Sequence, residues 1–347
     1  MTPPQDAAAR QLLELPLMGT GLARAEQLLG GLDRASLSPT DLWHVHTVEG
    51  RILARRGDER AVDVLADAGQ DAARAGDRTE ELRLCLWTAG ALAGCGRTKA
   101  ARGLIAEIHD VVRMNPALGF EWRLAEARCG HPDARQLALD AMSHVPSPSR
   151  DADRFDAWQL AGVLAMDGGD TLGAGRAWQE AAQIARRHAS PADLLPVATL
   201  LAHLRLQSGQ VRQAAELLAE ATAIAADLGD DLTLAAEGSI LAAIQLEEQD
   251  WQAAAATARL ASAAALRRGN WVGYVDASIT IAVCLDQNGE RADALLELLT
   301  AAGRARSAGA EAAVNIVRGR LGELRAELGP EAFDGPFQEA VARLGGG

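Results

Sequence analysis

Residues 158–181 read WQLAGVLAMDGGDTLGAGRAWQEA. Apolar and small residues recur at helical spacing on both sides of a break at residues 168–170, which predicts two helices joined by a tight turn. Gly162 has no side chain and lets the two helices approach closely. We expect Ala174 to do the same from the second helix, and Trp178 to fill the gap between adjacent helix pairs.

Small polar breaks of this kind recur along the chain. The second residues of four of them lie at positions 170, 210, 250 and 290, so the period is 40 residues. A second series lies midway, at Ser190-Pro191, Gly229-Asp230, Gly269-Asn270 and Gly309-Ala310. Each unit therefore contains two helices that form a hairpin. Because one hairpin cannot bury both faces of its helices, neighbouring hairpins must stack.

This pattern resembles the tetratricopeptide repeat (TPR), with matches at Trp158, Ala161, Gly162, Ala165, Gly169, Ala174, Trp178 and Ala181. The resemblance covers roughly residues 41–345. It implies an all-α fold, a right-handed α-solenoid of about nine antiparallel helix hairpins. The period of 40 residues exceeds the usual ~34, so each helix should be about one turn longer. The Tyr of the signature is mostly replaced.

Long repeats of this type resemble the helical regions of large bacterial activators of the LuxR and maltose-regulator type. In those proteins the repeats follow a nucleotide-binding module and precede a DNA-reading helix-turn-helix. We find neither module in this sequence. The resemblance therefore implies a binding or regulatory role for the repeats themselves.

The segment SHVPSPSR, residues 143–150, contains two Pro and three Ser and should break the helical pattern. We expect an irregular repeat region over 1–147 and regular TPR-like repeats with a C-terminal capping hairpin over 148–347. The alternative is one continuous superhelix in which 143–150 is only a loop. In the first region the pattern predicts helix pairs over residues 5–35, 40–76, 78–113 and, in a short irregular form, 115–146.

Composition narrows the function classes. The chain is 48% hydrophobic but only 3% aromatic, which favours Ala- and Leu-rich helices over strands. Its net charge of −13 argues against direct nucleic-acid binding, which needs clustered Lys and Arg. No run approaches the ~18 apolar residues of a membrane helix. The four Cys form no C-x-x-C pair, and a reducing cytoplasm is the expected location.

Catalytic and metal-binding motifs are missing from the sequence. It contains no H-E-x-x-H, no G-x-S-x-G and no phosphate loop. His44 and His46 are two residues apart and cannot face one metal ion from a helix. The acidic runs at 229–231 and 247–250 are better explained as helix caps than as cation sites. We therefore expect a non-enzymatic protein that needs no cofactor and no metal.

In TPR proteins the first helix of each pair lines the concave face. Carried over to this sequence, the register gives these candidate peptide-binding positions: Thr47, Arg51, Arg55, Arg83, Asp156, Gln159, Asp167, His203, Gln207, Glu247, Asp276, Asp286 and Gln287. The first-half positions are mainly basic and the second-half positions mainly acidic. We therefore expect a protein or peptide partner with its basic segment against the acidic second half.

Three functions are compatible with these features. The first is a protein- or peptide-binding scaffold or adaptor. The second is a regulatory module of transcription or signalling that responds to a ligand or peptide and lacks its own DNA-binding domain. The third is an enzyme whose site is dispersed over a helical toroid. A deep pocket with carboxyls of raised pKa would favour the third. The oligomeric state stays open.

Overall fold

The computed structural model describes residues 5–142 and 151–345. They form α-helices and short 3₁₀ turns without any β-strand, which confirms the all-α, TPR-like fold class. The chain divides into two compact units, residues 1–197 (unit 1) and 198–347 (unit 2). The proposed joint at 143–150 lies outside the described residues, so the division into 1–147 and 148–347 stays a prediction. Among the helices of the described residues, none is long and apolar enough to cross a membrane.

Unit 1 contains five helix pairs and the start of a further helix. The helices agree with the expected pairs, including a short fourth pair of 10 and 9 residues. They are α1 (Gln5–Glu14), α2 (Gly19–Gly31), α3 (Pro39–Arg55), α4 (Arg60–Ala75), α5 (Arg78–Gly94), α6 (Thr98–Arg113), α7 (Gly119–Arg128), α8 (Ala134–Met142), α9 (Asp151–Asp167), α10 (Thr171–Arg187) and α11 (Pro191–Gln207), the last of which crosses the division between the units.

Unit 2 continues with more uniform helices, because its repeats keep the 40-residue period. They are α12 (Val211–Leu228), α13 (Asp231–Glu247), α14 (Trp251–Arg267), α15 (Trp271–Gln287), α16 (Arg291–Ser307), α17 (Glu311–Leu328) and α18 (Pro330–Gly345). Most have 17 residues, which is the extra turn expected from the long period. Each of α13 to α16 packs against the helix that follows it.

The turns between these helices repeat at half the period. A positive φ occurs every 20 residues, at Gly169, Ala189, Gly209, Gly229, Gln249, Gly269, Gly289, Gly309 and Gly329. Glycine is favoured there because it has no Cβ to clash with the preceding turn. Ala189 and Gln249 also have a positive φ, of 46° and 62°, at the two positions where this series has no glycine. The backbone turn is therefore imposed by the repeat and not only by the local residue.

Acidic residues begin several helices, as the sequence predicted. The side chain of Asp250 accepts a hydrogen bond from the amide of Ala253 at 3.1 Å, and Asp230 caps α13 in the same way. A carboxylate at this position satisfies an amide that has no partner within its own helix. The capping explanation of the runs at 229–231 and 247–250 is confirmed.

Close approach within the α9–α10 pair depends on Gly162. A Cβ added there would lie 2.2 Å from Nε1 of Trp178, whose indole is buried. That indole also donates a hydrogen bond to the carbonyl oxygen of Gln159, at 3.4 Å. The expectation that Trp178 fills the gap between adjacent pairs is therefore corrected. Its ring occupies the space that glycine leaves inside its own pair.

Gly162→Ala should lower the free energy of unfolding by about 1–3 kcal/mol, because the added methyl overpacks a filled core. Gly103→Ala in α6 is the control, since nothing lies within 4 Å of its added Cβ. That substitution should instead stabilise by roughly 0.5–1 kcal/mol through helix propensity. Urea unfolding followed by circular dichroism measures both. Equal effects of the two variants would contradict the close contact.

Gln249→Gly should raise the free energy of unfolding by about 0.5–1 kcal/mol, because a left-handed backbone costs a side-chain-bearing residue roughly 1–2 kcal/mol. The reverse substitution at the equivalent turn, Gly289→Gln, should lower it by about 1 kcal/mol. Thermal unfolding of the two variants beside the wild type measures the difference. Effects of the same sign would show that the 20-residue turn does not carry this strain.

Candidate functional site

Unit 1 contains a cavity of about 560 Å³, here called the unit 1 cavity. It is lined mainly by the first helices of successive pairs, namely α3, α5, α7, α9 and the start of α11, as expected for a repeat of this type. Its apolar lining includes Trp87, Leu124, Phe155, Leu160 and Val163. Its charged lining consists of Arg51, Arg55, Asp58, Arg128, Asp153, Asp156 and Asp193.

Arg55 is the centre of this charged lining. It is the last residue of α3, and its guanidinium contacts two other helices. Nη1 donates to Oδ1 of Asp156 on α9, and Nη2 donates to Oδ1 of Asp193 on α11, both at 2.6 Å. Burial lowers the pKa of Arg55, but the charges of Asp156 and Asp193 outweigh it and raise that pKa above its ordinary value. Arg55 therefore stays charged and holds α9 and α11 against the end of α3.

Arg51, one helical turn before Arg55, makes a parallel contact. Its Nη2 donates to Oδ1 of Asp153 at 2.6 Å, and its guanidinium lies 4.5 Å from the centre of the Trp87 ring. Arg51, Arg55, Asp153, Asp156 and Asp193 form one group, here called the Arg55 cluster. A buried ion pair is favourable only when hydrogen bonds support it, and each carboxylate of this cluster accepts one from an arginine at 2.6 Å.

Two carboxyl groups of the cavity wall have pKa values shifted in opposite directions. Burial raises the pKa of the Asp156 carboxyl above its ordinary value, against the opposing charges of Arg55 and Arg128. Outside the cluster, a hydrogen bond from Arg60 lowers the pKa of Asp58 to about 2. The wall of the cavity thus contains carboxylates in two environments, one desolvated and one half-buried.

A second contact joins the first helix pair to the turn before α11, near the Arg55 cluster. The amide of Gly19, at the start of α2, donates to Oγ of Ser190 at 3.1 Å, and that hydroxyl donates to Oδ2 of Asp193 at 2.5 Å. A Cβ on Gly19 would lie 2.0 Å from the carbonyl oxygen of His188, so the approach requires glycine. The turn before α11 is therefore held by the first helix pair as well as by Arg55.

The structure brings together four of the predicted groove residues. Arg51, Arg55, Asp156 and Gln159 all line the unit 1 cavity. The expected separation into a basic and an acidic wall stays a prediction, and Asp156 is already paired with Arg55 of the same chain. A desolvated charge is more stable when it is paired within the fold than when it stays unpaired until a partner binds.

Three other predicted residues of unit 1 lie outside the cavity lining. Thr47 is buried in α3, with 2% of its surface exposed. Arg83 donates from Nε to Oε1 of Glu121 at 3.1 Å. Asp167 is exposed at the end of α9.

In unit 2 the predicted residues are distributed over α11, α13 and α15. Nε2 of His203 lies 3.0 Å from Oε2 of the buried Glu237. Asp286 and Gln287 line a smaller cavity of about 110 Å³, where Oδ1 of Asp286 accepts a hydrogen bond from Arg291 at 2.6 Å. Gln207, Glu247 and Asp276 are exposed, and partial burial raises the pKa of Asp276.

Several lining residues were missed by sequence reasoning. Asp153 lies three residues before Asp156 on α9, so it shares a helix face with a predicted position. Asp193 lies at the start of α11 and Arg128 is the last residue of α7, and neither was among the predicted groove positions. No sequence signal pairs Asp193 with Arg55 or Arg128 with Asp156. Among residues 5–142 and 151–345, no group of three or more His, Cys, Asp or Glu is arranged to hold a metal ion.

No protein-family model matches the chain, and no curated protein matches it. Solved structures do. The apo form of RapI has a TM-score of 0.56 at 10% identity, covering 87% of this chain and 97% of that one. A Rap protein complexed with competence and sporulation factor gives 0.46 at 13%, covering 93% and 99%. Aspartyl phosphate phosphatase F from Bacillus subtilis gives 0.45 at 13%, covering 87% and 84%.

At these identities the likeness concerns the fold, and the RapI comparison carries it. Together with the hairpins and the 20-residue turns, it shows that the chain has a TPR-like helical-repeat fold. The resemblance to LuxR-type and maltose-regulator-type activators stays a prediction.

Arg55→Met should lower the free energy of unfolding by about 2–4 kcal/mol, because it leaves two desolvated carboxylates without their cation. The neighbouring Arg56→Met is the control, since the Arg56 side chain is 58% exposed and its pair with Glu26 lies at the surface. That variant should change stability by less than about 0.5 kcal/mol. Urea unfolding of both variants measures this, and an Arg55→Met variant as stable as the wild type would contradict the cluster.

Proposed function

We propose that this chain is a non-enzymatic peptide- or protein-binding module and that the unit 1 cavity receives a segment of its partner. The observation that carries this proposal is the cavity itself. Its volume of about 560 Å³ lies within the range of roughly 300–1,000 Å³ typical of ligand sites. Its lining of aromatic and aliphatic side chains with a few convergent polar groups is also typical of such sites.

The composition of the wall favours a peptide over a compact small molecule. Val163 is 40% exposed at the cavity and, with Leu160 and Leu124, offers apolar surface to side chains. Gln159 adds a carboxamide, which can both donate to and accept from a peptide backbone. Apolar surface beside a carboxamide suits an extended peptide, which has both apolar side chains and a polar backbone.

A basic segment of the partner would find acidic side chains in unit 2. Glu247 and Asp276 are exposed acids on first helices of their pairs, and among the described residues no arginine pairs with either of them as Arg55 does with Asp156. We propose that any basic part of the partner contacts these acids. We propose no direct nucleic-acid or membrane partner. We also propose a cytoplasmic location, where the four free cysteines would stay reduced.

Two other functions have a specific observation behind them. Because Arg55 joins three helices, a guest that disturbed it would change their arrangement, and this supports a ligand-responsive regulator. The raised pKa of Asp156 inside a cavity supports an enzyme. However, Oδ1 of Asp156 is engaged by Arg55 at 2.6 Å, which favours an ion pair over an acid or base that exchanges protons with a substrate.

A random octapeptide library selected on the immobilised full chain tests the proposal. Val163→Trp should reduce binding of the selected peptides at least tenfold, because the indole fills the unit 1 cavity without removing any ion pair. The matched control is Val111→Trp in α6, which is 50% exposed and lies outside the cavity lining.

Two results would contradict the proposal. The first is that no peptide is enriched over a blank surface. The second is that the selected peptides bind Val163→Trp and Val111→Trp equally well. Circular dichroism melts of both variants confirm that each is folded before binding is compared.

A further inference from the structure

We infer that Arg128 anchors the guest of the unit 1 cavity by binding a carboxylate, so that the preferred peptide carries an acidic group at that point. This inference rests on the proposed function and specifies the chemistry of the same site. It depends on which charged groups of the cavity wall still have hydrogen-bonding capacity.

The acids of the cavity wall have close partners within the chain. Asp58 accepts from Nη2 of Arg60 at 2.6 Å, and Asp153 accepts from Arg51 at 2.6 Å. Asp193 accepts from Arg55 through one oxygen and from Ser190 through the other. Asp156 accepts from Arg55 at 2.6 Å. A cationic guest would have to compete with an intramolecular arginine at each of these carboxylates.

Arg128 is different. Its Nη2 forms an ion pair with Oδ2 of Asp156 at 3.6 Å, which is beyond hydrogen-bond distance, and within the described chain its guanidinium donates no hydrogen bond. Its side chain is 32% exposed at the cavity. A guanidinium presents five donors in a planar fork that matches a carboxylate. The wall therefore offers unused donors, and an anionic acceptor is the guest group that satisfies them.

The position of Arg128 is set by Gly90 on α5. Nη1 of Arg128 lies 3.1 Å from where a Cβ of Gly90 would be, so the side chain packs over the glycine backbone. This contact directs an α7 side chain across α5 towards the cavity. Because this packing already restricts the Arg128 side chain, less conformational entropy is lost when a guest binds, which favours affinity.

Gln159 supplies the second unused group. Its carboxamide is half-buried in the cavity wall and makes no hydrogen bond to the residues that the structure describes. It follows Asp156 by three residues, so the two side chains share a face of α9. The wall thus combines a carboxylate-binding fork with a group suited to a peptide bond. That combination fits an acidic side chain or a free C-terminal carboxylate.

The test uses four biotinylated octapeptide pools bound to the full chain by biolayer interferometry. Three pools are amidated and have one central residue fixed as Glu, Gln or Arg. The fourth has the central Gln and a free C-terminus. The Glu pool should bind at least tenfold tighter than the amidated Gln pool. If the carboxylate comes from the C-terminus, the free Gln pool should show this advantage instead.

The anchoring residue is tested with Arg128→Gln against Arg113→Gln. Both remove one positive charge, but Arg113 is exposed on α6 outside the cavity lining. The carboxylate advantage should fall at least fivefold in Arg128→Gln and persist in Arg113→Gln. Circular dichroism melts establish that both variants are folded.

The outcomes separate this inference from the proposed function. Equal binding of all pools, tightest binding of the Arg pool, or an equal loss in both arginine variants would overturn the anchor while peptide binding stands. A lack of binding by every pool would overturn the proposed function and the anchor with it.

Discussion

The organisation of unit 1 depends on one buried guanidinium. Arg55 is shared by Asp156, 101 residues further along the chain, and by Asp193, 138 residues further. Because a desolvated charge must be paired, α9 and the start of α11 are held where their carboxylates reach the end of α3. The Gly19–Ser190 contact fixes the same turn from the first helix pair. The space between these helices is the unit 1 cavity, so both the fold of unit 1 and the candidate site depend on the ion pairs of Arg55.

Much of the fold could be predicted because it is local. Small residues at Gly162 and Ala174 set the approach of paired helices, and left-handed turns recur every 20 residues where glycine relieves the backbone. Gln249 shows the strength of this constraint, since it adopts the turn without being glycine. A period read from the sequence therefore predicts helix length and helix pairing with little need of tertiary information.

The site was less predictable because it is not local. Arg51, Arg55, Asp156 and Gln159 were identified from the repeat register, which predicts the helix face but not the partner across the cavity. The ion pairs that join α3 to α9 and α11 connect residues 101 and 138 positions apart, and the 40-residue period does not predict which side chains meet over that distance. For the same reason the repeat register did not identify Arg128 and Gly90 as cavity residues.

The central claim is that Arg55 and Asp193 are in contact in solution. A double-mutant cycle with Arg55→Met and Asp193→Asn, followed by urea unfolding, tests it most directly. We expect a coupling free energy of at least about 1 kcal/mol, as found for residues within one ion-pair network. Additive effects within roughly 0.3–0.5 kcal/mol would show that the two residues do not meet, and would contradict this account of unit 1 and its cavity.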